Sequence, residues 1–189
     1  NAWNRINEPT TEVIVAATDR VGNPVVDGTV INFVSPDAGS VPPSCVTENN
    51  TCRVEWKPDG RNPDNGRARV LATVKGTENF IDTNGNNIFD DGDIFAGFDL
   101  GEPYVDLSYS GSYEQGDYFV DTNGNRTRDT GDGLWNGLNC QHSTLCSEEI
   151  QYVDLSAITT IYMSNGANAA ICNAGAFTNP LSVSTSTTL

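Results

Sequence analysis

Between Phe80 and Asp132 the chain places oxygen-bearing side chains at a spacing that suits a hard cation. After Phe80-Ile81 come Asp82, Asn84, Asn86, Ile88, Asp90 and Asp93, at loop positions 1, 3, 5, 7, 9 and 12. Thirty-nine residues later the pattern nearly repeats: Phe119-Val120 precedes Asp121, Asn123, Asn125, Thr127, Asp129 and Asp132. A weaker copy lies between them, where Tyr104-Val105 leads into Asp106, Ser108, Ser110, Glu114 and Asp117. Ca2+ takes about six to eight oxygen ligands, and a 12-residue loop supplies them from positions 1, 3, 5, 7, 9 and 12. Position 7 gives a backbone carbonyl, so Ile88 and Thr127 enter as main-chain donors. Asp99 and Glu102 lie between loops and are candidates to complete a neighbouring site. The expectation is two to four Ca2+ ions.

The pattern departs from an EF-hand. That motif wants Gly at position 6 and a bidentate Glu at position 12. Here position 6 is Asn87, Gly111 or Arg126, and the last carboxylate is Asp. The flanks Phe-Ile, Tyr-Val and Phe-Val read as short extended pieces, not helices. The rival reading is three Asn/Asp/Gly turns, since these residues dominate turns. Repetition in register favours the metal.

Charge points the same way. The 189-residue chain carries a net charge of −15, and 13 of its 25 acids fall between Glu78 and Asp132. The only cations in that stretch are Arg126 and Arg128. Such a region repels itself without counter-ions. Three Ca2+ would leave about −9, still a poor surface for nucleic acid or anionic lipid. No apolar run is long enough to cross a membrane as a helix. The chain opens on Asn1, not Met, as expected of a mature or excised piece.

Five cysteines are present. Cys45 with Cys52, and Cys140 with Cys146, are close in sequence and predict two local disulfides in an oxidising compartment. A ring of about eight residues closed this way contributes about 2.5 kcal/mol in the chain-entropy model. Zinc is the rival, but no CxxC pair occurs and there is one His. Cys172 is left over, to pair with another chain or domain or to stay free.

The elements that must position the loops are strands. Thr11 to Thr18, Thr29 to Val34, Cys52 to Lys57 and Arg67 to Lys75 are rich in β-branched residues and bounded by Gly/Pro/Asn turns. Cys52, Val54 and Trp56 alternate with polar residues, and Ala68, Val70, Ala72 and Val74 form the inward set of the next strand. Ile150 to Leu155 and Thr159 to Met163 read as two closing strands. Strands at this spacing indicate an all-β sandwich. The domain reading is residues 1–79 as the first part of the sandwich and 80–146 as an insertion holding the loops. Residues 147–163 are then the final strands, and 164–189 a linker or a donated or next-domain strand. A loop as long as 80–146 needs internal order, for which metal is the expected source. Leu181 to Leu189 has strand character without a partner in view.

The segment Asp19 to Phe33, with Cys45, Cys52, Trp56 and Asn65-Gly66-Arg67, resembles the bacterial immunoglobulin-like domains of the invasin/intimin type. The Asp-Thr-Asn-Gly-Asn loops are similar to a subset found in large bacterial surface proteins. The resemblance covers roughly 10–163. It implies an immunoglobulin-like β-sandwich with a long calcium-stabilised insertion before the last strands, extracellular on a bacterial surface and often in tandem. Neighbouring domains of the same type or identical subunits are the implied partners, with a host or surface ligand as a further one.

Three functional classes compete. A calcium-stabilised structural or adhesive module leads. A self-assembling filament subunit that uses its C-terminal strand is the alternative, and a carbohydrate-binding module using Trp3, Tyr109, Tyr113 or Trp135 ranks below it. Catalysis is not expected: the loop pattern accounts for most acids, no GxSxG motif occurs, and His142 reads as solvent-exposed.

Overall fold

The computed structural model describes residues 2, 4–163 and 186–188. Strands β1 (Thr11–Ala16), β2 (Val30–Val34), β3 (Ser44–Val46), β4 (Thr51–Trp56) and β5 (Arg67–Gly76) come first. They are followed by β6 (Tyr104–Val105), β7 (Tyr118–Phe119), β8 (Val153–Tyr162) and β9 (Ser186–Thr188). The described residues contain no helix, so the chain is all-β. The sheet orders are β4-β1-β9, β3-β2-β5-β8 and β6-β7.

The chain divides into two compact units, Asn1–Ala72 with Ala157–Leu189, and Thr73–Ser156. In the first unit, β1 pairs antiparallel with β4 in a register that sets Val13 opposite Val54 and Val15 opposite Cys52. Their alternate side chains are buried, as a period of two requires. Val13 and Val15 share one small interior space with Val70 and Ala72 of β5 and Ala157 and Thr159 of β8. The sheets thus meet through their apolar faces, an arrangement consistent with a β-sandwich. The Cys45–Cys52 disulfide joins β3 of one sheet to β4 of the other, with Cα atoms 5.9 Å apart.

Trp56 is fully buried at the end of β4. Its indole N–H lies 3.2 Å from both Ser35 Oγ and the Ala38 carbonyl, satisfying the one polar atom the ring carries inward. Gly39, at φ +76°, lies so close to the ring that any Cβ there would overlap it.

β5 departs from strict alternation. Every residue from Ala68 to Val74 is buried, so Arg69, Leu71 and Thr73 are inside as well as the expected apolar set. The strand lies between β2 and β8 and has few free surfaces. Arg69 is accommodated by a buried pair: its Nε lies 2.7 Å from Asp37 Oδ2, with side-chain exposures of 7% and 10%. Asp37 Oδ1 also accepts the Arg69 backbone N–H at 2.8 Å.

The two closing strands expected from sequence are one ten-residue strand, β8, which begins at Val153 rather than Ile150. At the other end of the chain, Ser186–Thr188 add to the β1 edge as a parallel strand, with Ile14 opposite Ser186. The rest of the expected Leu181 to Leu189 strand, with Cys172 and Trp3, lies outside the described residues.

The second unit has a core of its own. Phe80, Phe89, Phe95 and Trp135 are buried together, with Phe98, Cys140 and Leu145 packed against them. Ring centroids are 5.2 Å apart for Phe80–Phe89, 5.6 Å for Phe80–Trp135 and 5.8 Å for Phe89–Phe95. The Trp135 indole N–H donates to the Glu78 carbonyl at 3.0 Å. The Cys140–Cys146 disulfide closes a turn beside this cluster, and Gln141 N donates to the Phe89 carbonyl at 2.8 Å. His142 is not a free surface group: it stacks on Phe89 at 5.0 Å and its Nδ1 accepts the N–H of Thr144 and of Leu145.

Candidate metal-binding loops

Each loop is nucleated by its first Asp. Asp82 Oδ1 accepts the N–H of Gly85 at 2.7 Å and of Asn86 at 3.2 Å, and its Oδ2 accepts that of Asn87 at 2.8 Å. Asp121 repeats this with Gly124, Asn125 and Arg126 at 2.7, 3.1 and 2.9 Å. Asp106 does so with Ser110 at 3.1 Å and Gly111 at 2.7 Å. A short carboxylate that collects successive N–H groups curls the chain around itself. The curl drives position 6 into the left-handed region in all three loops, at φ 61° for Asn87, 88° for Gly111 and 66° for Arg126.

These bonds set the electrostatics. Burial works against the Asp82 charge, but the donors on Asn87, Gly85 and Asn86 outweigh it and hold the carboxyl below the usual range. The Gly111 N–H leads in doing the same for Asp106, helped by Ser110 and Ser108.

Positions 3, 5 and 9 converge. Asn84 Nδ2 lies 3.0 Å from Asp90 Oδ1, and Asn86 Nδ2 lies 2.6 Å from Asp90 Oδ2. Asn123 and Asn125 meet Asp129 Oδ2 in the same way, at 2.6 and 2.8 Å. In the middle loop Ser108 Oγ lies 3.1 Å from Asp106 Oδ1 and 3.4 Å from Glu114 Oε2. Ser110 turns aside to the Ser112 carbonyl. The Asn84 and Asn86 oxygens each accept one backbone N–H, from Asn86 and Ile88, and keep a second lone pair.

The last carboxylate clamps the loop. Asp93 Oδ1 accepts the N–H of Thr83, at position 2, at 2.8 Å, and Oδ2 accepts that of Asp90, at position 9, at 3.1 Å. Asp117 makes the same two bonds, to Leu107 N at 2.7 Å and Glu114 N at 2.8 Å.

In the third loop these two donors go elsewhere. Thr122 N and Asp129 N donate to Glu102 Oε1 and Oε2, at 2.6 and 3.1 Å. Asp132 instead accepts the N–H of Leu134 at 2.8 Å and Asn136 Nδ2 at 3.3 Å. Asp99 accepts the N–H of Gly133 at 3.0 Å. Asp132 and Asp99 thus stand near Glu78, which sequence reasoning passed over. Glu78 is fully buried and accepts the N–H of Leu100 at 2.6 Å and of Asn136 at 2.8 Å. Burial pushes its carboxyl up, and the Asp99 and Asp132 charges add to the push.

The donor chemistry of the three loops is carboxylate, amide, hydroxyl and carbonyl oxygen, which fits a hard divalent cation. Among the described residues no thiolate enters, because Cys45, Cys52, Cys140 and Cys146 are all in disulfides. Among the described residues no three His, Cys, Asp or Glu side chains form a metal-holding group by themselves. Each loop interleaves its carboxylates with amides or hydroxyls. No protein-family model, curated protein or solved structure matches this chain.

Proposed function

We propose that this chain is a calcium-stabilised structural or adhesive module of an extracellular bacterial surface protein, built on an immunoglobulin-like β-sandwich. The carrying observation is that three loops repeat one bonding scheme: a first carboxylate gathers N–H groups, and a second carboxylate clamps positions 2 and 9, from position 12 in the first two loops and from Glu102 in the third. Asp82, Asn84, Asn86, Asp90 and Asp93, with the Ile88 carbonyl, would hold an ion in the first loop. Asp106, Ser108, Glu114 and Asp117 would do so in the second. Asp121, Asn123, Asn125 and Asp129, with the Thr127 carbonyl, would serve in the third. Calcium supplies positive charge where these oxygens repel one another. Two disulfides support an oxidising, extracellular setting. The Asp19 to Phe33 motif supports the invasin/intimin-type assignment.

Extracellular calcium sites have dissociation constants of about 10⁻⁴ to 10⁻³ M. At tenfold excess each independent site contributes about 1.4 kcal/mol. Three such sites come to about 4 kcal/mol, a large part of a typical domain stability of about 5–15 kcal/mol. Equilibrium dialysis against millimolar calcium tests the reading. Uptake of about three equivalents supports it, and uptake of none refutes it.

A filament subunit is the second reading, favoured by one observation. The β1 edge accepts Ser186–Thr188 as a parallel strand, so it is open to strand addition. In a filament a neighbour's C-terminal strand would occupy that edge. Light scattering that finds only monomers over a wide concentration range removes this reading.

A further inference from the structure

We propose that Glu102, not Asp132, is the closing ligand of the third loop, and that an ion held there braces the hairpin carrying the middle loop. The inference rests on the calcium reading above and extends it to one residue and one coupling.

Three observations point the same way. First, Glu102 accepts the two N–H groups, from positions 2 and 9, that Asp93 and Asp117 accept in their own loops. It is 6% exposed, and Thr122 Oγ1 also donates to its carboxylate at 2.8 Å while Arg128 Nε donates to its backbone carbonyl at 2.9 Å.

Second, the residue after each clamping carboxylate is bonded to the residue before position 1. Ile94 bridges Ile81 in the first loop, and Tyr118 pairs with Val105 in the second. In the third, Val120 N donates to the Pro103 carbonyl at 2.8 Å. Glu102-Pro103 therefore stands where Asp93-Ile94 and Asp117-Tyr118 stand. Gly101 permits this approach, since a Cβ there would lie 2.5 Å from the Asp129 carbonyl oxygen.

Third, the side-chain packing repeats. In the first loop the rings two residues before position 1, at position 8 and at position 14 are Phe80, Phe89 and Phe95, packed in sequence. In the second they are Tyr104, Tyr113 and Phe119, at 5.6 and 5.9 Å. In the third, position 8 is Arg128, whose guanidinium lies 4.5 Å from the Tyr104 ring. Tyr104 follows Glu102 by two residues, as Phe95 follows Asp93.

The consequence is a shared ribbon. Tyr104–Val105 and Tyr118–Phe119 form the two-stranded sheet β6-β7. One end of this ribbon is closed by the middle loop, and the other by the third loop with Glu102. An ion in the third loop therefore fixes the spacing of both strands on which the middle loop depends. Such coupling between sites typically changes affinity about 5- to 150-fold.

The test is a calcium titration of the full chain, followed through backbone amide signals of Gly85, Gly111 and Gly124. Each donates to the first Asp of its own loop and so reports the state of that loop. In Glu102→Gln the Gly124 response should weaken at least about tenfold and the Gly111 response should weaken with it. The Gly85 response should stay at its wild-type calcium concentration, which also shows that the variant is folded. In Asp132→Asn all three responses should persist. A wild-type Gly124 response in Glu102→Gln, or its loss in Asp132→Asn, overturns the ligand assignment. Loss at Gly124 with Gly111 unmoved overturns the coupling. If none of the three glycines responds in the wild-type chain, the calcium reading itself fails.

Discussion

At position 6 of the third loop, Arg126 holds φ 66°, a conformation that costs a non-glycine side chain about 1–2 kcal/mol. Asn87 tolerates the same place better, because Asn is among the residues suited to it. Arg126→Gly is therefore expected to leave stability unchanged or raise it by up to about 1 kcal/mol, and Arg126→Val to lower it by about 1 kcal/mol or more. Urea unfolding of the two variants checks the sign, and a stabilising Val contradicts it.

A second residue-scale prediction concerns Asp19. The Asn23 side-chain amide and backbone N–H lead in holding its carboxyl below the ordinary range. The stability this carboxylate contributes is present above the unfolded value of about 3.9 and is lost as pH falls through the lower folded value. A side-chain NMR titration should place the midpoint below about 3.9; a midpoint above it contradicts the geometry. The convergence of Asp82, Asn84, Asn86 and Asp90 was legible in sequence because these residues act within one turn of chain. Glu102 was legible only as a candidate. It reaches the third loop from nineteen residues before Asp121, and spacing alone carries no sign of that fold-back. Glu78 gave no sign either, since it is a lone acid whose burial depends on the distant Leu100 and Asn136.

At the scale of elements, β4 was fully legible. Its alternation of Cys52, Val54 and Trp56 is imposed by one buried face. β5 was half legible: the apolar set was right, but burial of Arg69 depends on Asp37, which lies thirty-two residues away. Replacing Arg69 by Met leaves Asp37 buried without its partner and should cost about 3–5 kcal/mol. Replacing both Asp37 and Arg69 by apolar residues should cost much less than the single change. Denaturant unfolding of the single and double variants measures this, and additive losses would contradict it. β8 was split in the sequence reading, which left Ser156, Ala157 and Ile158 between two strands, yet the strand runs through them. At Gly39 the Trp56 ring leaves no room for a side chain, so Gly39→Ala should destabilise the sandwich by more than about 1 kcal/mol in the same assay.

At the scale of the molecule, the second unit is ordered by more than its loops. The sequence reading assigned that order chiefly to metal, with the Cys140–Cys146 disulfide at its end. The structure bears out the Cys140–Cys146 clip and adds the Phe80, Phe89, Phe95 and Trp135 cluster. The rings were visible as residues but not as a core, because their contacts join loop flanks up to fifty-five residues apart. Phe89→Ala should cost about 3–5 kcal/mol even in saturating calcium. On the proposed reading the aromatic core and the ions would be separate supports: without calcium, the core would remain while the acidic loops repel one another. Differential scanning calorimetry of the full chain, in millimolar calcium and in excess chelator, tests this most directly. The account predicts that calcium raises the melting temperature of at least one transition by several degrees, in line with about 4 kcal/mol from three sites. Superimposable thermograms in calcium and in chelator would contradict it, and the three loops would then be turns that carry no ion.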